Sequence, residues 1–269
     1  MSDVVTFEKQ GQIGFITLNR PEARNAVNGA VAQAFESALD QLENDPEVWV
    51  GILRANTEGQ EKPVFCAGAD LKALNSGENN LFTERGGFAG FVYRDRKKPI
   101  IVAVDGLATA GGCEIVLAAD MVIATTRSAF GLAEVKRNLI AGAGGLFRLP
   151  RAIGQNVAME VILTGDPLSA QRAYDLGLVN RLVEPGKAVE AAIELANKIA
   201  LSAPLAVWAS RKIVLASAYE SDEKLISMTN QEFGAVLKSE DTKEGLTAFI
   251  EKRPPQWKGC LLYTSPSPR

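Results

Sequence analysis

From Val4 to Pro185, short apolar runs of strand length alternate with stretches of helical spacing, and glycine, proline or asparagine separates most neighbours. VVTFEK and QIGFITLN read as two strands joined by a hairpin-like turn at Gln10-Gly11. Asn28 is placed to cap a helix over 29–43, because Val31, Phe35, Ala38, Leu39 and Leu42 recur on one helical face; Asn44-Asp45-Pro46 ends it. VWVGILRA, PIIVAVDG, MVIATT and LVNRLVEP read as further strands, with a helix predicted over ATAGGCEIVLAAD. This alternation places the chain in the α/β class. Residues 75–90, polar and glycine-rich, predict a mobile loop and a helix start. After Gly186 the pattern is helical to Phe249, broken at Ser202-Ala203-Pro204. The expected division is a core over 1–200, a helical region over 201–259 and a tail over 260–269.

The chain has no histidine. That removes Ser-His and Cys-His nucleophile systems and imidazole metal sites together. Cys66, Cys113 and Cys260 lack metal-ligand spacing and suggest no disulfide framework, so no metal site is expected. A net charge of −3 gives no electrostatic case for nucleic acid. IVLAADMVIA is interrupted by Asp120, so no membrane span is expected, and MSDVVTFEKQG lacks a signal-peptide pattern. A cytoplasmic location is the resulting expectation. The terminal CLLYTSPSPR breaks with the preceding composition and back-translates to a sequence resembling a library-preparation adapter; it is expected to be foreign to the protein and carries no functional reading.

Three segments can carry chemistry. In FCAGADLKAL, small residues between a strand and a helix let backbone N–H groups near Gly68 and Ala69 approach a ligand; a tight turn with Asp70 at a helix start explains the same letters. In GLATAGGCEIVLAAD, Gly111-Gly112 open a helix whose first turn has unpaired N–H groups. Glu114 follows within an apolar run, where an ionised carboxylate needs a partner or a task. In FGLAEVKRNLIAGAGG, Glu134 lies in a charged turn and the GAGG can open a helix at a ligand; the run is not a dinucleotide fingerprint. Two glycine-bounded segments can supply the two donors of an oxyanion hole, and the two glutamates a base and an acid. Such a set suits reactions through an enolate, such as adding water to an activated double bond or moving that bond.

The motifs LNRPEARNAV, FCAGADLKAL, KPIIVAVDGLATAGGCEIVLAAD, FGLAEVKRNLIAGAGGLFRLPR and LTGDPLSAQRAYDLGLVNRLVEPG resemble the crotonase, or enoyl-CoA hydratase/isomerase, superfamily from about Val4 to Gly259. The resemblance implies a spiral of repeated ββα units with a C-terminal helical region that builds homotrimers, often paired into hexamers. It implies an acyl-CoA thioester as substrate and no separate cofactor. The N–H groups of Ala69 and Gly111 would hold the thioester oxygen. Glu134 would exchange the proton at Cα, and Glu114 would help bind and activate the water that adds at Cβ. Ala23, Arg24, Ala67, Asp70 and Leu71 would contact CoA, with Phe249 and Lys252 reaching it from a neighbouring subunit. The implied activity is reversible hydration of a 2-enoyl-CoA. An isomerase, a carnitinyl-CoA-type dehydratase or a non-catalytic acyl-CoA binder are the alternatives. Ala141 and Leu146-Phe147 depart from the proline and Thr-Gln of many hydratases, which leaves the acyl group open. The aromatic residues Phe82, Phe88, Phe91 and Tyr93 can line an acyl pocket or one face of a helix; the helix face is the expectation.

Overall fold

The computed structural model describes residues 3–77 and 80–260. They form two compact units, one running to Ala196 and the other starting at Asn197.

The first unit opens with β1 (Val5–Gln10) and β2 (Ile13–Leu18), antiparallel and in register from Val5 opposite Leu18 to Gln10 opposite Ile13. Gly11, at φ +57°, makes the turn that an L side chain resists. Helix α1 (Gly29–Asn44) starts where the sequence places its cap: the Asn28 side chain accepts from the Val31 N–H at 3.0 Å. Its apolar stripe is buried, and the Phe35 ring stacks on Phe91 with centroids 4.9 Å apart.

Next come β3 (Val50–Ala55), β4 (Val64–Cys66) and the short α2 (Leu71–Asn75), then a small hairpin of β5 (Phe82–Thr83) and β6 (Gly87–Phe88). The strand-strand-helix pattern repeats in β7 (Ile100–Val104), β8 (Leu107–Thr109) and α3 (Gly111–Ala118). It repeats again in β9 (Met121–Thr125) and β10 (Ala129–Gly131), followed by a 3-10 turn at Glu134–Arg137. Helices α4 (Gly145–Ile153) and α5 (Gln155–Thr164), strand β11 (Leu168–Ser169), α6 (Ala170–Asp175), β12 (Arg181–Val183) and α7 (Ala188–Ala200) follow. In the three repeats after α1 the first strand (β3, β7, β9) joins a six-stranded sheet, β1-β2-β3-β7-β9-β12, and the second (β4, β8, β10) joins a four-stranded sheet, β11-β10-β8-β4. The chain therefore climbs as a two-sheet spiral with each repeat stacked on the last.

Two expectations are corrected. The helix predicted over 108–120 begins only at Gly111, because Leu107–Thr109 pair with β4 and β10 as a strand. Three-residue strands leave too little period to read. Residues 80–95 hold the β5–β6 hairpin and turns, with no helix; Gly87, Ala89 and Gly90 all have positive φ, which breaks helical geometry. Phe91 is core, whereas Phe82 and Tyr93 are exposed.

The second unit contains α8 (Pro204–Ala216), α9 (Asp222–Leu237) and α10 (Glu240–Glu251). Ser221 and Ser239 cap α9 and α10. The segment after α10 folds back on it, with the N–H groups of Lys258 and Gly259 donating to the buried Asp241 carboxylate at 2.7 and 2.9 Å. Of the tail read as foreign, Cys260 is exposed and 261–269 lie outside the described residues. No single helix among the described residues is long and apolar enough to cross a membrane.

Candidate active site

Strands β4, β8 and β10 are parallel neighbours, so their C-terminal ends lie side by side. The segments leaving them carry Ala69, Gly111 and Glu134. All three line one cavity of about 1070 Å³, as does Glu114 from the first turn of α3. Ala23, Arg24, Ala67, Asp70 and Leu71 line it too. Loops at the carboxyl ends of parallel strands converge on one space, which is why residues far apart in sequence meet there.

The main-chain frame is rigid. Val27 donates to the Gly68 carbonyl and accepts from the Asp70 N–H, both at 2.8 Å, so the N–H of Ala69 between them faces away from Val27. Gly111 is the first residue of α3, and its N–H has no acceptor within the helix. Ala110 before it holds φ +51°, ψ −131°, a strained conformation for alanine, and is fixed by donating to the Gly131 carbonyl at 2.8 Å. The two segments touch through missing side chains. A Cβ on Gly68, at φ +85°, would lie 2.8 Å from the Gly111 nitrogen, and one on Gly112 would lie 2.1 Å from the Cys66 carbonyl oxygen. The glycines thus bring the two candidate donors together.

Glu114 is 3% exposed, and its carboxylate faces the start of α4: Oε1 accepts from the N–H groups of Ala143 at 2.7 Å and Gly145 at 2.9 Å. The GAGG does open a helix at an anion, and that anion is this chain's own Glu114. The partner that a carboxylate in this apolar run needs is therefore main-chain, on the loop before α4. Burial pushes the Glu114 pKa up; the two N–H groups and the Arg148 charge pull the other way without cancelling it.

Glu134 begins the 3-10 turn after β10, half-buried, and its Oε2 is buried with no hydrogen-bond partner. Burial, with the Glu114 charge adding, raises its pKa to about 7; its own N–H and Arg137 offset only part of this. A raised carboxyl pKa stabilises the fold below the unfolded value near 4.5, and that contribution is lost as pH rises through about 7. Glu134→Gln keeps the shape and removes the titration. Its melting temperature should match the native chain near pH 5 and exceed it at pH 8.5, by on the order of 2 kcal/mol of stability after allowing for solvent screening. Equal gaps at both pH values would refute the assignment.

At the cavity rim, Arg24 and Asn25 both adopt φ +53°. Asn25 is buried and pins the loop, donating to the Asn56 and Val64 carbonyls and accepting from the Arg20 N–H. Arg24 is exposed, and its carbonyl accepts from the Ala67 N–H at 3.1 Å. The Asp70 carboxylate caps α2 and pairs with Arg20 at 3.1 Å, so both the turn reading and the cavity reading of that motif apply. Phe249 and Lys252 belong to the second unit; Phe249 is 85% exposed and Lys252 ends α10 in the left-handed conformation. Sequence reading missed the role of Ala143 and Gly145 as carboxylate donors; for Phe82 and Phe88 the pocket reading, ranked behind a helix face, is the one that holds, since both line the cavity.

The family model for enoyl-CoA hydratase/isomerase matches residues 8–260. A short-chain-enoyl-CoA hydratase of Clostridium acetobutylicum is 36% identical, over 93% of this chain and 95% of its own length. A carnitinyl-CoA dehydratase of Salmonella typhi is 39% identical, over 96% of this chain and all of its own. The crystal structure of an enoyl-CoA hydratase from Mycobacterium marinum superposes with a TM-score of 0.90 at 47% identity, covering 96% of this chain and 100% of that one. The ββα spiral is the crotonase fold, and the chain belongs to the enoyl-CoA hydratase/isomerase family.

Proposed function

We propose that this protein is a hydro-lyase that reversibly adds water to a 2-enoyl-CoA. The observation that carries the reading is the pairing of a buried and a half-buried carboxyl of unlike environment beside two candidate main-chain donors in one cavity. Glu114, held by two N–H groups, is suited to be the ionised member; Glu134, lacking a partner at Oε2, is suited to carry the proton. The thioester oxygen sits between the N–H groups of Ala69 and Gly111. Glu114 takes a proton from water as the oxygen bonds to Cβ, and the Cα=Cβ electrons move to make an enolate. Glu134 then delivers its proton to Cα, and the thioester re-forms. One preorganised donor to the enolate oxygen contributes roughly 3–4 kcal/mol.

Both directions start from a pair holding one proton, because the overall reaction neither takes up nor releases one. Hydration and dehydration must therefore share one kcat/KM profile. It is expected to fall as pH rises through about 7, where Glu134 loses its proton, with the pair titrating as a unit. The purified chain should bleach the enoyl-thioester absorbance of a short 2-enoyl-CoA. Absence of bleaching across straight, branched and aromatic 2-enoyl thioesters rejects the hydratase reading.

The 39% identical carnitinyl-CoA dehydratase favours a second substrate reading on the same chemistry. A carnitinyl thioester turned over faster than simple 3-hydroxyacyl thioesters would decide for it. The rim residues Ala23, Arg24, Ala67 and Leu71 are assigned to CoA, with Arg24 free to meet a phosphate. Asp70 acts there by shaping the loop, since its carboxylate is already engaged. Phe249 and Lys252 are assigned to the CoA of a neighbouring subunit in a homotrimer or hexamer. Exposed Ile226, Phe233 and Leu246 give the second unit apolar surface for that assembly; sedimentation as a monomer would exclude it. No cofactor beyond the substrate's own CoA enters the scheme.

A further inference from the structure

The cradle that holds Glu114 is itself held from outside. The Arg148 guanidinium donates from Nη1 to the Ala143 carbonyl at 3.1 Å and from Nη2 to the Val92 carbonyl at 2.6 Å. The Tyr93 hydroxyl donates to the Gly142 carbonyl at 3.2 Å. These bonds fall on particular peptides. Gly142 C=O and Ala143 N–H belong to one peptide group, so the Tyr93 hydroxyl pulls on the back of the unit whose front donates to Glu114. Gly144 C=O and Gly145 N–H form the second donor's peptide, which the Arg148 backbone N–H holds at 3.0 Å from behind as the first helical bond of α4. The Ala143 carbonyl gripped by the guanidinium lies between the two. Hydrogen bonds in such chains polarise and strengthen one another, most where they are buried; here the Glu114 links are buried, the Arg148 links partly buried and the Tyr93 link exposed. Ala141 places no ring constraint on this loop, so its shape depends on these ties.

We propose that Arg148 is a positioning residue that acts through Glu114: with Tyr93 it fixes the two main-chain N–H groups that keep the Glu114 carboxylate ionised and aimed at the water. Arg148 does not line the cavity, so it is not itself a catalytic residue. The proposal rests on the hydro-lyase reading for its kinetic effect, though not for its electrostatic one. Groups facing Glu114 are Glu134 from the turn after β10, Arg148 from α4 and the buried thiol of Cys113 on its own helix. Arg137 faces Glu134, and Arg151 and Tyr93 face Arg148.

Steady-state kinetics of the full chain with a short 2-enoyl-CoA test it. Arg148→Met should lower kcat about tenfold or more with KM within about threefold, Tyr93→Phe should lower it about threefold, and Arg148→Lys should fall between native and Met. In a Glu114→Gln background, Arg148→Met should cost less than about threefold, since the group it acts through is gone. Equal costs in both backgrounds, or an effect on KM alone, overturn the proposal. A second readout needs no substrate. In ligand-free Glu134→Gln protein carrying carboxyl-13C glutamate, the Glu114 signal, identified by its loss in the Glu114→Gln form, should titrate at least about half a pH unit higher when Arg148 is Met. An unmoved titration overturns the proposal; a moved titration in a chain that hydrates no enoyl thioester refutes the functional reading and leaves this one standing.

Discussion

Glu114→Gln and Glu134→Gln are each expected to lower kcat by at least about 100-fold, with KM little changed, because under the proposed scheme each removes one proton transfer and leaves the cavity's shape intact. The double variant is expected to lose little more than the worse single one, since the two carboxyls act as a unit in one proton cycle. The buried position of Glu114 makes the glutamine there informative in a further way. An amide oxygen can still accept from Ala143 and Gly145, so the loop keeps its place while the charge is gone. Rapid-quench or stopped-flow measurement of the enoyl absorbance separates chemistry from release. Either variant retaining full activity removes its glutamate from the mechanism.

The second large effect comes from a residue with no functional group. Gly68→Ala puts a Cβ 2.8 Å from the Gly111 nitrogen and 3.0 Å from the Ala110 Cβ, at a φ of +85° that alanine resists. Ala110 is already strained and Gly111 starts a helix, so the relaxation falls on the two donors' separation. The expected cost is that of losing one oxyanion-hole donor, roughly 100- to 1000-fold in kcat, with about 1–2 kcal/mol of stability from the backbone change. Gly59, also at positive φ but with open space around it, is the control: its alanine variant shows a backbone cost to stability and none to kcat. Thermal melts with kcat for both variants check this. Loss of kcat at Gly68 that merely tracks unfolding would count against the oxyanion assignment.

Local signals made much of this legible beforehand. Asn28 and the stripe from Val31 to Leu42 fixed α1, since a cap and a period are both properties of adjacent residues. Glu114 stood out because its neighbours are apolar, and Gly111 because two glycines open a helix. What stayed hidden is tertiary. β8 and β10 have three residues each and become strands only by pairing with one another and with β4. The hairpin at 82–88 replaced an expected helix because turns with positive φ at Gly87, Ala89 and Gly90 outweigh aromatic spacing. The acceptor for the GAGG turn lay about thirty residues upstream, and no periodicity links Glu114 to Ala143. The letters pointed to a ligand at the GAGG turn; that its acceptor is the chain's own Glu114 is visible only in the folded chain.

Three parallel strands set down, in order, two candidate main-chain donors on the ends of the first two and a carboxyl on the third, with Glu114 on the helix that follows the second. Under the proposed scheme this arrangement works as a relay for a single negative charge. It begins on Glu114, passes to the thioester oxygen between Ala69 and Gly111 as water adds, and comes to rest on Glu134 when Cα is protonated. At no stage do the two glutamates and the thioester oxygen together hold two negative charges or none, so the fixed dipoles around them need little rearrangement from one end of the reaction to the other. The two amide variants cut the relay at opposite ends: Gln at 114 keeps the charge from starting, and Gln at 134 strands it on the enolate.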